Sequence, residues 1–272
     1  MLFNIIKTII LGIIEGITEW LPISSTGHMI LANEFLSIDV SPEFWEMFEV
    51  VIQLGAIFAV VVIYFKDLFP WGFGKSKNDT KETFNLWGKI IVGSIPIGIA
   101  GILFDDYINS KFYNSWTVAT MLIVYGFLFI IIEKWHKNKK ARVTTTKEIS
   151  YLDAIKVGLF QVLALIPGTS RSGATILGGL IIGLERSVAA NFTFFLALPA
   201  MGGASLLKLI KFGFTFTTSE LIILVVGMIT AFIVSIIAIK FLLKYIKKND
   251  FTLFGYYRIG LGIIVILYFL LK

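Results

Sequence analysis

The chain has 272 residues, 57% hydrophobic and 15% charged, with a net charge of +6 and a mean hydropathy of +0.85. A soluble domain of this size needs more charge to cover its surface, and the absence of cysteine removes disulfides and thiolate chemistry. With His28 and His136 the only histidines, a histidine-rich metal cage is excluded, and the basic excess is assigned to membrane orientation rather than to nucleic acid.

In chain order, the first element is an apolar stretch over residues 1–20 that carries Glu15 and Glu19, which is not the pattern of a cleaved leader. It runs into a polar break, Leu21-Pro22-Ile23-Ser24-Ser25-Thr26-Gly27-His28, and a short apolar piece, 29–36. Three apolar blocks follow at 48–65, 86–104 and 116–132. The order then recurs: 152–166, a break Pro167-Gly168-Thr169-Ser170-Arg171-Ser172-Gly173-Ala174-Thr175, a short piece 176–184, and blocks at 188–207, 221–243 and 251–271. A helix crosses the hydrocarbon in about 20 residues, range about 17–25. Proline and glycine stop a helix, and serine and threonine compete for its backbone bonds. Such a break survives at membrane depth only where protein or a water-filled cavity covers it. The sequence therefore predicts an all-α polytopic membrane protein with six transmembrane helices and two re-entrant helix-loop-helix hairpins.

The two breaks resemble each other. Ser24-Ser25-Thr26-Gly27 falls on Ser170-Arg171-Ser172-Gly173 at a shift of 146 (170 minus 24), which also sets Gln161 on Glu15 and Gly158 on Gly12. We read a single membrane domain, 1–272, made of two repeats, 1–135 and 150–272. An odd number of crossings per copy predicts that the second is inverted. Lys66, Lys75, Lys77, Lys81, the basic loop at 134–147, Arg186, Lys240, Lys244, Lys247 and Lys248 fall on one side; Lys7, Lys111, Lys208, Lys211 and Lys272 fall on the other. The richer side is cytoplasmic by the positive-inside rule. Both termini are then expected outside, with the hairpin tips meeting inside the bundle.

That meeting point gathers the residues that carry chemistry. Glu15 and Glu19 are four apart on one helix, about 6 Å from each other. Each carboxylate costs about 2.5–3.5 kcal/mol at mid-membrane, so the pair calls for a divalent cation, a shared proton or an arginine; the plainer alternative is a hydrated helix at the interface. Ser24, Ser25, Thr26 and His28 crowd one break, where hydroxyls and a helix N-terminus form an anion pocket. Helix capping explains the hydroxyls but not His28, an imidazole suited to act as base, acid or nucleophile. Arg171, between Ser170 and Ser172, can fork onto phosphate oxygens, or form an ion pair with Glu15 or Glu19, or do each in turn. Of the other polar residues in spans, Glu49 is the second-tier candidate and shares a face with Gln53, while Asn191, Thr193 and Arg258 are assigned to helix packing. His136 is expected to be solvated in its loop, and the pairs Gly178-Gly179 and Gly202-Gly203 are expected at close helix contacts.

At these residues the chain resembles the undecaprenyl-diphosphatase family, also known as the bacitracin-resistance proteins. Glu15-Gly16-Ile17-Thr18-Glu19-Trp20-Leu21-Pro22-Ile23-Ser24-Ser25-Thr26-Gly27-His28 is similar to its first signature and Pro167 to Thr175 to its second; Phe48-Glu49-Val50-Val51-Ile52-Gln53-Leu54-Gly55 also looks like it. The resemblance implies removal of the terminal phosphate of undecaprenyl diphosphate at the outer face of a bacterial inner membrane. The product is the monophosphate carrier of peptidoglycan synthesis, and overproduction of such an enzyme counters bacitracin. It also implies a divalent cation, Mg2+ or Ca2+, with Glu15 and Glu19 handling cation or proton and Ser25 and His28 as nucleophile and acid/base partner in an order left open. Arg171, Ser170 and Thr175, with Ser24 and Thr26 from the anion pocket, would bind phosphate. The implied partners are the polyprenyl diphosphate and membrane lipids; a homodimer is compatible with the sequence and nucleic acid is not expected. The competing reading is a polyprenyl-phosphate flippase or secondary transporter, because inverted repeats with broken helices build carriers. A type-2 phosphatidic acid phosphatase is disfavoured, since no histidine follows Arg171.

Overall fold

Polar caps set where the helices begin, and they carry several helices past the apolar blocks that announce them. The computed structural model describes residues 1–71, 75–137 and 139–271, without the side chains of Asp105 and Asn109; Lys272 lies outside the described residues. In chain order the helices are α1 (Leu2–Thr18), α2 (Ser25–Leu36), α3 (Pro42–Val51), α4 (Gln53–Ile63), α5 (Phe65–Leu68), α6 (Lys77–Phe112), α7 (Ser115–His136), α8 (Tyr151–Val162), α9 (Arg171–Ile181), α10 (Arg186–Phe212), α11 (Thr218–Ile246) and α12 (Thr252–Leu271). Ser76 with Asp79, Ser150 with Asp153 and Thr217 with Glu220 form reciprocal capping boxes that start α6, α8 and α11. Ser41 caps α3, which has proline in its first turn.

Among the described residues, six segments are long and apolar enough to cross a membrane: Pro42–Ile63, Lys77–Phe104, Ser115–His136, Arg186–Phe212, Thr218–Ile246 and Thr252–Leu271. The outward faces are those of a multi-pass membrane protein. On α11, Ile229, Ile233, Ile237 and Phe241 recur every fourth residue and all are exposed, an apolar stripe that only hydrocarbon would accommodate.

The helices pack in crossed pairs. α1 lies along α11, α8 along α6, α7 along α12, and α10 against both α3 and α4. Close approach rests on missing side chains: a Cβ on Gly158 of α8 would sit 2.0 Å from the Gly93 carbonyl oxygen of α6, and one on Gly12 of α1 would sit 2.7 Å from Thr230 Cβ of α11. Gly178 and Gly179 are also contact glycines, against Phe160 and Ala189. The expectation fails for the other pair, because Gly202 has no neighbour nearer than Ile57 at 3.9 Å and Gly203 has none within 4 Å.

Two further expectations are corrected on the side of the basic loops. His136, the last residue of α7, is buried, not solvated. Arg186 is no free loop charge: it grips both carboxylate oxygens of fully buried Glu133, which also accepts the Phe251 amide at 3.0 Å. That cluster fastens α7, α10 and the start of α12 together. Nearby, a β-bridge between Val143 and Leu184 ties the basic loop to the α9–α10 turn.

Candidate active site

Between α1 and α2, and between α8 and α9, the chain stops being helical for only a few residues. The second break begins with a short 3-10 turn, Leu163–Leu165. Most of the polar residues assigned to loops from sequence are in fact the first turns of α2 and α9. Each of those helices is capped by a serine held at positive φ, Ser24 at 74° and Ser170 at 72°, a region that costs a residue with a Cβ about 1–3 kcal/mol. The capping bond is the same in both: the Ser24 hydroxyl accepts from the Gly27 amide at 3.3 Å, and the Ser170 hydroxyl from the Gly173 amide at 3.1 Å. Ser24 and Ser170 therefore shape the two N-termini. The amides of the residues that follow, Ser25 and Thr26 in one and Arg171 and Ser172 in the other, have no partner within their helix.

The two N-termini meet. Arg171, first residue of α9, reaches across to Glu19 at the end of α1, with Nη2 at 3.0 Å and Nε at 3.3 Å from Oε1. Its remaining nitrogen Nη1 donates to the Thr193 carbonyl of α10 at 2.9 Å. The guanidinium and carboxylate are 10% and 7% exposed, so this pair is withheld from bulk water yet open on one side. The other Glu19 oxygen, Oε2, accepts the Ser25 hydroxyl at 2.8 Å. Ser172 donates to the backbone carbonyls of Glu19, at 3.0 Å, and Leu21, at 3.3 Å. A hydroxyl, a carboxylate and a guanidinium thus stand in series across the two breaks.

Not every residue singled out from sequence joins that series. His28 is bonded elsewhere: its Nδ1 is 2.7 Å from the Ser24 carbonyl and its Nε2 is 2.7 Å from the Tyr257 hydroxyl of α12. Thr175 is fully buried and its hydroxyl is committed, donating to the Arg171 carbonyl at 2.9 Å and accepting from Thr193 at 2.8 Å, so it holds α9 against α10. Thr26 lies half-buried in the first turn of α2. Glu49, on α3, is 3.4 Å from the Tyr113 hydroxyl. Asn191 accepts from the Tyr64 hydroxyl at 2.6 Å, a packing role of the kind expected.

Sequence reasoning missed the residue that joins the breaks. Arg258 of α12 was assigned to helix packing, but it is completely buried and serves the backbone of both breaks. Its Nη1 donates to the Pro22 carbonyl at 3.1 Å, and its Nη2 to those of Gly168 at 2.8 Å and Thr169 at 2.9 Å. The Met121 carbonyl of α7, at 3.4 Å, completes the set. A planar, forked cation can bridge several carbonyls at once. The available signal was its charge, since an ionisable residue inside a span is a site candidate by default.

Glu15 stands one turn before Glu19 on α1, 1% exposed, and its Oε1 has no hydrogen-bond partner among the described residues. An unpaired carboxylate oxygen beside a second carboxylate and a serine hydroxyl is a hard-oxygen donor set, which suits Mg2+ or Ca2+. Among the described residues no three acidic or histidine side chains converge on one point.

The comparisons agree along the length of the chain. The family model for bacitracin resistance protein BacA matches residues 8–264. An undecaprenyl-diphosphatase of Desulfitobacterium hafniense is 60% identical over 269 residues, covering 98% of this chain and 97% of the relative. Those of Acetivibrio thermocellus and Enterococcus faecalis are each 60% identical, over 269 and 274 residues, with 99% of both chains covered. With both breaks inside the matched region, the chain belongs to the bacitracin resistance protein BacA family.

Proposed function

We propose that the protein removes the terminal phosphate of undecaprenyl diphosphate, releasing inorganic phosphate and the monophosphate carrier reused in cell-wall synthesis. The observation that carries this reading is the Ser25–Glu19–Arg171 series, a hydroxyl bonded to a base whose other oxygen is held by a phosphate-seeking cation. The names of the relatives, undecaprenyl-diphosphatases at 60% identity, supply the substrate.

The polar residues divide the work as follows. Ser25 Oγ attacks the terminal phosphorus while Glu19 takes its proton, and the bond to the bridging oxygen breaks, so the lipid monophosphate leaves. Water then hydrolyses the phosphoserine and returns inorganic phosphate, while Ser25 Oγ takes back the proton held by Glu19. Arg171 turns from Glu19 to the phosphate oxygens as they arrive, joined by the amides of the two capped N-termini; stabilising charge is the main task in phosphoryl transfer. Glu15 and Glu19 would hold a divalent cation, which supplies further charge neutralisation when bound. Ser25 is preferred over His28 as nucleophile because its oxygen already touches a base, whereas both ring nitrogens of His28 are engaged elsewhere.

The membrane arrangement belongs to the same proposal: an inverted duplication, 1–135 and 150–272, whose α1–α2 and α8–α9 segments are re-entrant hairpins, with both termini outside. It is supported by equal caps 146 residues apart (170 minus 24) and by crossed packing in which α1 pairs with α11 as α8 pairs with α6. The test is direct. Protein purified in detergent, with no gradient, should release phosphate from a polyprenyl diphosphate and yield a phosphoenzyme that is stable in acid and labile in base. Acid-labile phosphate would transfer the nucleophile's role to His28, and no phosphate release at all would defeat the enzyme reading in favour of lipid transport.

A further inference from the structure

We infer that Tyr257 is a positioning residue for His28, binding its Nε2 and fixing its direction; this rests on the phosphatase reading above. A carbonyl only accepts, so the contact of His28 Nδ1 with the Ser24 carbonyl at 2.7 Å places a proton on Nδ1. In the neutral ring Nε2 is then the acceptor, and the Tyr257 hydroxyl, 2.7 Å away, is its donor. The two rings lie parallel, 5° apart in plane with centroids at 5.6 Å, which leaves the imidazole little freedom to swing. Backbone on one side and a phenol on the other therefore orient the ring, and in its neutral form the single lone pair is on Nε2, on the α12 side.

The consequence is a division of labour. Glu19 touches the attacking hydroxyl, and His28 does not. The proton His28 can take enters at Nε2, where the Tyr257 hydroxyl now sits, so the group served by His28 approaches from that flank. The water that hydrolyses the phosphoserine meets this description: its oxygen bonds to phosphorus as the bond from phosphorus to Ser25 Oγ breaks, its proton goes to Nε2, Oγ takes back the proton held by Glu19, and the phenol turns aside. Tyr257 and Arg258 are neighbours in sequence but face different tasks, Arg258 joining the backbones of the two breaks and Tyr257 setting the imidazole that follows the first. One turn of α12 thus organises the whole centre.

Because His28 and His136 are the only histidines, protein labelled with 15N-histidine contains just two imidazoles, and His28→Ala assigns them. In the wild-type protein His28 should show a protonated Nδ1 and a hydrogen-bonded, unprotonated Nε2; a protonated Nε2 in the neutral ring overturns the inference with no variant needed. Tyr257→Phe keeps the stacked ring and should shift the Nε2 resonance to that of a free acceptor. It should also lower kcat for phosphate release about tenfold, the scale of one lost hydrogen bond, with KM unchanged, while Tyr256→Phe, at the neighbouring exposed tyrosine, leaves both constants alone. In a His28→Ala background Tyr257→Phe should cost nothing more, since a residue acting through another is not additive with it. An equal loss in both backgrounds overturns the inference. Should the wild-type protein release no phosphate, the phosphatase reading falls while the resonances still decide the Tyr257–His28 bond.

Discussion

Replacing Arg258 with leucine tests whether the two breaks are held together from α12. The side chain is completely buried, and three of its bonds, to Pro22, Gly168 and Thr169, are between 2.8 and 3.1 Å. A hydrogen bond to a charged group contributes about 1.5–3 kcal/mol, so three amount to about 4.5–9 kcal/mol. Against this stands the recovered desolvation of a guanidinium, several kcal/mol. The net cost should be about 3–5 kcal/mol, as is usual when one side of a buried ionic arrangement is removed. At about 2–4 °C per kcal/mol for a protein of this size class, the melting temperature in detergent should fall by about 10 °C. Phosphate release should fall further in proportion, by at least about a hundredfold, because a shift of about 1 Å in reacting groups costs that much. Arg258→Lys should recover part of the stability and little of the activity, since a point charge reaches one break but not both. A leucine variant that melts within about 2 °C of wild type and keeps its rate would refute the argument.

Glu19→Gln removes the acceptor of the Ser25 proton and the partner of Arg171, and should lower phosphate release by about 10²–10⁴-fold while detergent melting shows a folded protein. Gly158→Leu drives a side chain into the Gly93 carbonyl at α8–α6, so it should destabilise by more than about 3 kcal/mol; Gly203→Ala, with open space around it, should leave the melting temperature unchanged. A chelator should suppress phosphate release and added Mg2+ or Ca2+ restore it, and Glu15→Gln should raise the cation concentration needed for half-maximal rate; full activity after exhaustive chelation removes the cation from the proposal.

The spans were readable because lipid imposes one rule on every residue of a helix face, and composition reports it directly. Their ends were less so: α6 runs from Lys77 to Phe112, well past its apolar core, because Ser76, Asp79 and the solvent outside the bilayer sustain a polar helix. Glu19, Ser25 and Arg171 were legible as a group since each is costly or conformationally pointed where it stands. Their connections were not. That Ser25 bonds Glu19 rather than His28 depends on the positive φ of Ser24, which turns the first residue of α2 back toward α1. Arg258 acts on carbonyls, which every residue has, so its partners 236 and 89 positions away leave no trace in sequence. Tyr257 is one aromatic among many in spans, and only the ring it faces sets it apart.

The proposed duplication explains why this centre has to be asymmetric. Positions 146 apart carry Glu15 and Gln161, Ser25 and Arg171, and His28 and Ala174. Two copies of the first break would bring two carboxylates and two hydroxyls together with no cation of their own, and two copies of the second would oppose guanidinium to guanidinium. What both breaks share is backbone: a serine at positive φ and a capping bond to the glycine three residues on. What they have divided is charge. An acid and a hydroxyl remain on one break and a base-holding, phosphate-seeking cation on the other, so neither half can assemble the series alone. Exchanging the two, with Arg171→Glu and Glu19→Arg in one chain, should restore the ion pair and stability lost in either single variant, yet not phosphate release, because Ser25 would then face a cation that cannot take its proton.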